Sequence, residues 1–63
     1  MKGLKQARKD KAFSQRDLAA LMNVTPQTIS NWECGQRKPD VYEIMKLTKV
    51  LKCDYNSLIG GKQ

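Results

Sequence analysis

SQRDLAALMNVTPQTISNW, residues 14–32, contains two helix starts set close together. Ser14 can cap one helix, with Asp17 three residues on and Phe13 spaced to staple onto Leu18. Thr25 can cap the next, with Pro26 at its first position and Val24 spaced to staple onto Ile29. Only Leu21-Met22-Asn23-Val24 lies between them. Asn23 falls at the turn, where a positive φ is expected and Asn is the best-tolerated residue after Gly. The second helix must therefore leave the first steeply. Two short helices joined by a tight turn make a shape that fits the major groove of DNA.

The pattern extends outward to five helices, with no period-two stretch long enough for a strand. A first helix is expected over about Lys2–Lys11, with Leu4, Ala7, Arg8 and Lys11 on one side. The second, Gln15 to about Met22, is expected to bury Leu18, Ala19, Leu21 and Met22. The third spans Pro26–Cys34 and ends at Gly35 in the left-handed conformation. Asp40 then caps a fourth helix in a D-x-x-E box with Glu43, and Val41, Ile44, Leu47, Thr48 and Leu51 form its inner stripe. Asp54 caps a short fifth helix ending near Leu58 and Ile59, with Cys53 stapling onto Leu58. Residues 60–63 are expected to fray. The fold class is all-α, and residues 1–63 read as a single domain.

Sixty-three residues make a small domain that buries only about 60% of its unfolded surface, so caps and close packing matter. Twelve Lys and Arg against six Asp and Glu give a net charge of +6. That balance favours a polyanionic partner, although excess Lys can also serve solubility alone. No apolar run approaches the roughly 20 residues a membrane span needs, and the N-terminus lacks a signal-peptide core. A cytoplasmic protein with no membrane role is expected. Cys34 and Cys53 have no metal-ligand spacing and the chain lacks His, so neither a metal nor another cofactor is expected. Without a nucleophile beside a base, or a Gly-rich phosphate loop, an enzyme is not expected either.

The third helix carries the chemistry. At about 100° per residue, Ile29, Trp32, Glu33 and Thr25 share the inner side, Gln27, Ser30 and Asn31 face away, and Thr28 lies on the flank. Amides and hydroxyls are mediocre helix formers, so their concentration on an outer face calls for a reason. Gln and Asn can bond bidentately to adenine, and Thr or Ser can bond a base or meet a thymine methyl. A merely solvated polar helix is the alternative, and the paired helix starts favour base reading. Trp32, on the inner stripe, reads as a core anchor rather than a stacking platform.

Arg8 and Glu33 both fall on inner stripes, and pairing is the simplest way to bury two charges; the alternative is that Arg8 snorkels outward and Glu33 lies at a rim. Gln15 stands at the second helix N-terminus, a natural phosphate anchor. Arg37 and Lys38, just past the third helix, are the leading cationic phosphate contacts, with Arg16 a weaker candidate.

With FSQRDLAALMNVTPQTISNWE, the GQRKPD loop and the closing LTKVLKCDYNSLI in view, the chain resembles the XRE/Cro-type helix-turn-helix regulators and the lambdoid phage repressors, systems well known for groove docking. The resemblance runs from Leu4 to Ile59. It implies a compact five-helix lambda-repressor-like domain with the helix-turn-helix at about 15–34, bound as a homodimer to a palindromic double-stranded DNA operator. By position it assigns base contacts to Pro26, Gln27, Thr28 and Asn31, phosphate contacts to Gln15, Arg37 and Lys38, and a buried ion pair to Arg8 and Glu33. Asn23 departs from the family's usual turn Gly, and Lys52 from the Gly that often ends its fourth helix. The expected function is a transcriptional regulator, a repressor that occludes a promoter, with no small-molecule ligand. The alternative is a protein-interaction module such as an antitoxin or antirepressor on the same fold.

Overall fold

The computed structural model describes residues 1–60. Five helices follow one another: α1 Leu4–Asp10, α2 Gln15–Met22, α3 Pro26–Cys34, α4 Val41–Leu51 and α5 Tyr55–Ile59. The described residues contain no strand. Of the tail expected to fray, Gly61, Lys62 and Gln63 lie outside the described residues, while Gly60 ends α5 with φ +75°.

Side chains begin four of the helices. Ser14, Thr25, Asp40 and Asp54 each accept the backbone N–H three residues on, which satisfies a donor the helix itself leaves unpaired. At α2 and α4 the bond is reciprocated by Asp17 and Glu43, giving two complete capping boxes. The residue before each of these caps packs inward: Phe13, Val24 and Cys53 lie against the core, and Pro39 is buried.

Four helices also end alike. Ala12, Asn23, Gly35 and Lys52 take positive φ values of 61°, 60°, 87° and 52°. The next residue's N–H then returns to the carbonyl five positions back: Phe13 to Arg8, Val24 to Ala19, Gln36 to Asn31 and Cys53 to Thr48. The left-handed residue lets the chain reverse while satisfying a terminal carbonyl, so each break takes only a few residues. Asn23 performs this turn between α2 and α3.

The core comprises Leu4, Ala7, Leu18, Ala19, Met22, Ile29, Trp32, Leu47, Leu51 and Leu58. Helix α2 packs on α3 and α4, α1 on α3 and α5, and α4 on α5. The first helix is shorter than expected, running only from Leu4 to Asp10 before Ala12 turns left-handed, and the Gly3 N–H bonds Leu58 O at 2.9 Å, fastening that end of the chain to α5. Lys11 lies in the turn and is exposed. Leu21 is 46% exposed instead of buried, because the packed face of α2 is Leu18, Ala19 and Met22. Val41, the first residue of α4, is 68% exposed, so the inner stripe begins at Ile44. Among the described residues, no helix is long and apolar enough to cross a membrane.

Candidate nucleic-acid interface

The double break in the chain presents α3 at the surface. Ile29 and Trp32 anchor its inner side at 0% and 2% exposure, leaving Pro26 and Gln27 exposed and Thr28, Ser30 and Asn31 half-buried. Gln27 Nε2 donates to Asn31 Oδ1 at 3.1 Å. This bond joins the two amides one turn apart and leaves the Gln27 carbonyl oxygen and the Asn31 amino group without a hydrogen-bond partner among the described residues. Thr25 does not point inward as its position on the wheel suggested. Its hydroxyl caps the helix by accepting from Thr28 N at 3.2 Å, and it lies 3.0 Å from the Thr28 hydroxyl.

Behind this face lies a cluster of charges. Arg8 Nε donates to Glu33 Oε2 at 2.6 Å and Arg8 Nη2 to Glu33 Oε1 at 3.4 Å, with the side chains only 9% and 7% exposed. The remaining Arg8 arm donates to Phe13 O at 2.8 Å. A nearly dry pair of charges persists only when such bonds satisfy it. Here it ties α1 to the last turn of α3.

Gln15 belongs to the same cluster. Its Nε2 donates to Glu33 Oε1 at 3.0 Å, so this residue, expected at the DNA backbone, also has a partner inside the protein. The start of the chain supplies another contact: the Met1 ammonium donates to Trp32 O at 2.8 Å. A cation near the exposed carbonyls of a helix C-terminus opposes the negative end of the helix dipole. Neither bond has a periodic signal in sequence, since both depend on where α3 ends relative to distant segments.

The loop after α3 is held from within. Gln36 N and Arg37 N both donate to Asn31 O, at 3.0 and 3.3 Å, while Arg37 and Lys38 are exposed. Arg16 is exposed near the start of α2. Cys34 is exposed at the end of α3, and Cys53 is half-buried with its thiol pushed above the ordinary value of 9.0 by burial and then by nearby Asp54. No His, Cys, Asp and Glu grouping suited to a metal ion occurs among the described residues.

Residues 4–58 match the helix-turn-helix family. Similar proteins include the SPbeta prophage-derived uncharacterized HTH-type transcriptional regulator YonR of Bacillus subtilis, 31% identical over 58 residues, or 92% of this chain and 54% of that one. The HTH-type transcriptional regulator ImmR of the same organism is 30% identical over 59 residues, 94% of this chain and 46% of that one. Multiprotein-bridging factor 1 of Debaryomyces hansenii is 36% identical over 50 residues, 79% of this chain and 33% of that one. The chain thus spans between 33% and 54% of the length of these relatives. No solved structure matches at comparable significance.

Proposed function

The chain belongs to the XRE-type helix-turn-helix family, and we propose that it acts as a sequence-specific double-stranded DNA-binding transcriptional regulator, a repressor that occludes a promoter. One observation carries this reading. The outer face of α3 holds Gln27 and Asn31 in a bonded pair, and carboxamides are the side chains that can bond the adenine edge in the major groove. Pro26 and Thr28 flank that pair as apolar and hydroxyl contacts. Gln15, Arg16, Arg37 and Lys38 then hold the phosphates on either side, which fixes register without reading sequence.

The operator is palindromic and the protein binds it as a homodimer, with two copies of α3 about 34 Å apart, one helical turn of DNA. Tyr55 and Ile59, 50% and 38% exposed on α5, offer apolar surface to a second copy. Leu58 between them is wholly buried and contributes to the core instead.

Selection from a random duplex library tests the reading. Enrichment of a palindrome, bound with steep salt dependence, supports it. Gln27→Ala should relax the preference at one base position, whereas Lys38→Ala should weaken all sequences alike and lower the salt slope by about one. A Gln27→Ala protein that selects the same sequence as wild type removes Gln27 from the base-reading set.

A second reading is a protein-interaction module, such as an antitoxin or antirepressor. It is favoured by the outer face of α4, where Val41, Tyr42 and Met45 are 68%, 82% and 52% exposed beside Lys46 and Lys49. One relative is named a multiprotein-bridging factor, which lends the same reading support. Weak, sequence-independent binding in the duplex selection would favour this role over the first.

A further inference from the structure

Helix α4 turns apolar side chains to solvent. Leu47 and Leu51 bury its inner side, while Val41, Tyr42 and Met45 each stay more than half exposed. Lys46 follows Tyr42 by four residues and Lys49 follows Met45 by four, so both exposed lysines share that outer side. At about 1.5 Å per residue the face runs about 12 Å from Val41 to Lys49. Clustered apolar exposure of this kind marks a contact surface, and Tyr and Met are among the side chains that interfaces favour.

The charge around the face selects its occupant. Among the described residues, neither Lys46 nor Lys49 has an ion-pair partner. The neighbouring acids, Asp40 and Glu43, are turned to each other's backbone N–H in the capping box. A face-to-face dimer would set these lysines against their own copies. Any other part of a second copy brings few free acids. Of the six carboxylates in the chain, Asp17, Asp40, Glu43 and Asp54 serve caps, Glu33 is closed in with Arg8, and Asp10 accepts from Gln6. Duplex DNA would meet the charge but would set Val41 and Met45 against a polar backbone. An acidic protein surface with apolar side chains meets both.

We propose that the outer face of α4 docks an acidic, apolar segment of a partner protein. Apolar side chains of that segment cover Val41, Tyr42 and Met45, and its Asp or Glu residues meet Lys46 and Lys49. The inference deepens the protein-interaction reading given above and rests on it, but it does not depend on DNA binding by α3. Tyr42 is the anchor, as the largest and most exposed of the three apolar side chains. The lysines decide which partners are accepted and how fast they arrive.

The test selects displayed random peptides on the purified full chain and locates the winners by chemical-shift mapping. Enriched peptides should combine apolar residues with an excess of Asp and Glu, and should shift Val41, Tyr42, Met45 and Lys49. Tyr42→Ala should weaken the best peptide at least about tenfold. Lys46→Glu combined with Lys49→Glu should weaken it about tenfold and turn the selection towards Lys and Arg. These side chains are exposed, so each variant should melt near the wild-type temperature and report on the face alone.

Peptides without an acidic excess, or shifts centred on α3 or α5, would overturn the proposal while leaving a protein-interaction module in place. No enrichment at all would remove both. Shifts at Tyr42 and Met45 that grow with protein concentration alone would give the face to a second copy. The same shifts on adding phosphatidylglycerol vesicles would give it to a membrane surface, and either result overturns the proposal.

Discussion

Arg8 and Glu33 meet at 2.6 Å with almost no solvent around them, and they fix the end of α3 against α1. Glu33 sits where a helix disfavours negative charge, close to the carbonyls of its own C-terminus. The Arg8 guanidinium and the Met1 ammonium, bonded to Trp32 O, bring positive charge to that same end. The surface of α3 is therefore positioned by charges on its hidden side.

Removing one partner of this pair should cost far more than removing both. Arg8→Met leaves the Glu33 carboxylate buried with, among the described residues, only Gln15 as a side-chain donor and should destabilise by about 3–5 kcal/mol. Arg8→Met combined with Glu33→Leu should recover a large part of that loss. Urea denaturation of the three proteins measures the difference. A double variant no more stable than the single one would show that unpaired charge is not the cause.

Gly3 should tolerate no side chain. A Cβ there would lie 1.7 Å from Ser57 O and 2.9 Å from Gly60 N, both backbone atoms that cannot rotate away. Gly3→Ala must push α1 off α5 and break the bond from Gly3 N to Leu58 O. A loss of at least about 1–3 kcal/mol is expected. Gly35→Ala is the control, since a Cβ there meets open space and only the backbone angle of +87° is strained. That change should cost about 1–2 kcal/mol. Paired melting curves decide it: Gly3→Ala as stable as wild type would mean the α1–α5 approach is looser than described.

The ends of the helices were legible because their signals are local. Ser14, Thr25, Asp40 and Asp54 each act on an N–H three residues away, so short sequence windows contain the whole interaction. Arg8 and Glu33 were legible for another reason, since a charge on an apolar stripe needs a partner. Burial was harder. Leu21 and Val41 have the same character as Leu18 and Ile44, but only the crossing of neighbouring helices decides which face is covered. Thr25 was misplaced because capping, not helical periodicity, governs its hydroxyl. The bond from Gln15 to Glu33 spans 18 residues and depends on the α2–α3 angle, which sequence spacing brackets only loosely.

Lys52 ends α4 with φ +52°, where a Cβ crowds the following carbonyl. Lys52→Gly should therefore stabilise the protein by about 1 kcal/mol, the left-handed strain relieved less the added freedom of the unfolded chain. Ala12→Gly, at φ +61°, should act in the same direction. Both sites lie at helix ends away from α3, so operator affinity should not change while the urea midpoint rises. A lowered midpoint in either variant would mean that its side chain contributes packing larger than the strain.

Acid should weaken the fold partly through its caps. The Asp17 carboxyl is held below the ordinary value of 3.8 chiefly by the Ser14 backbone N–H, and Asp54 likewise by that of Ser57. In the folded state each group therefore releases its proton at lower pH than in the unfolded chain. The resulting stabilisation is present above the unfolded value and is lost as pH falls through the folded one, below about 4. Asp54→Asn separates this from general acid effects, because an amide oxygen still caps α5 but carries no titrating proton. Its stability at pH 7 should stay near wild type, and its loss on going to pH 3 should be smaller. The two proteins losing equal stability between those pH values would show that the Asp54 carboxylate is bound no better in the folded state than in the unfolded one.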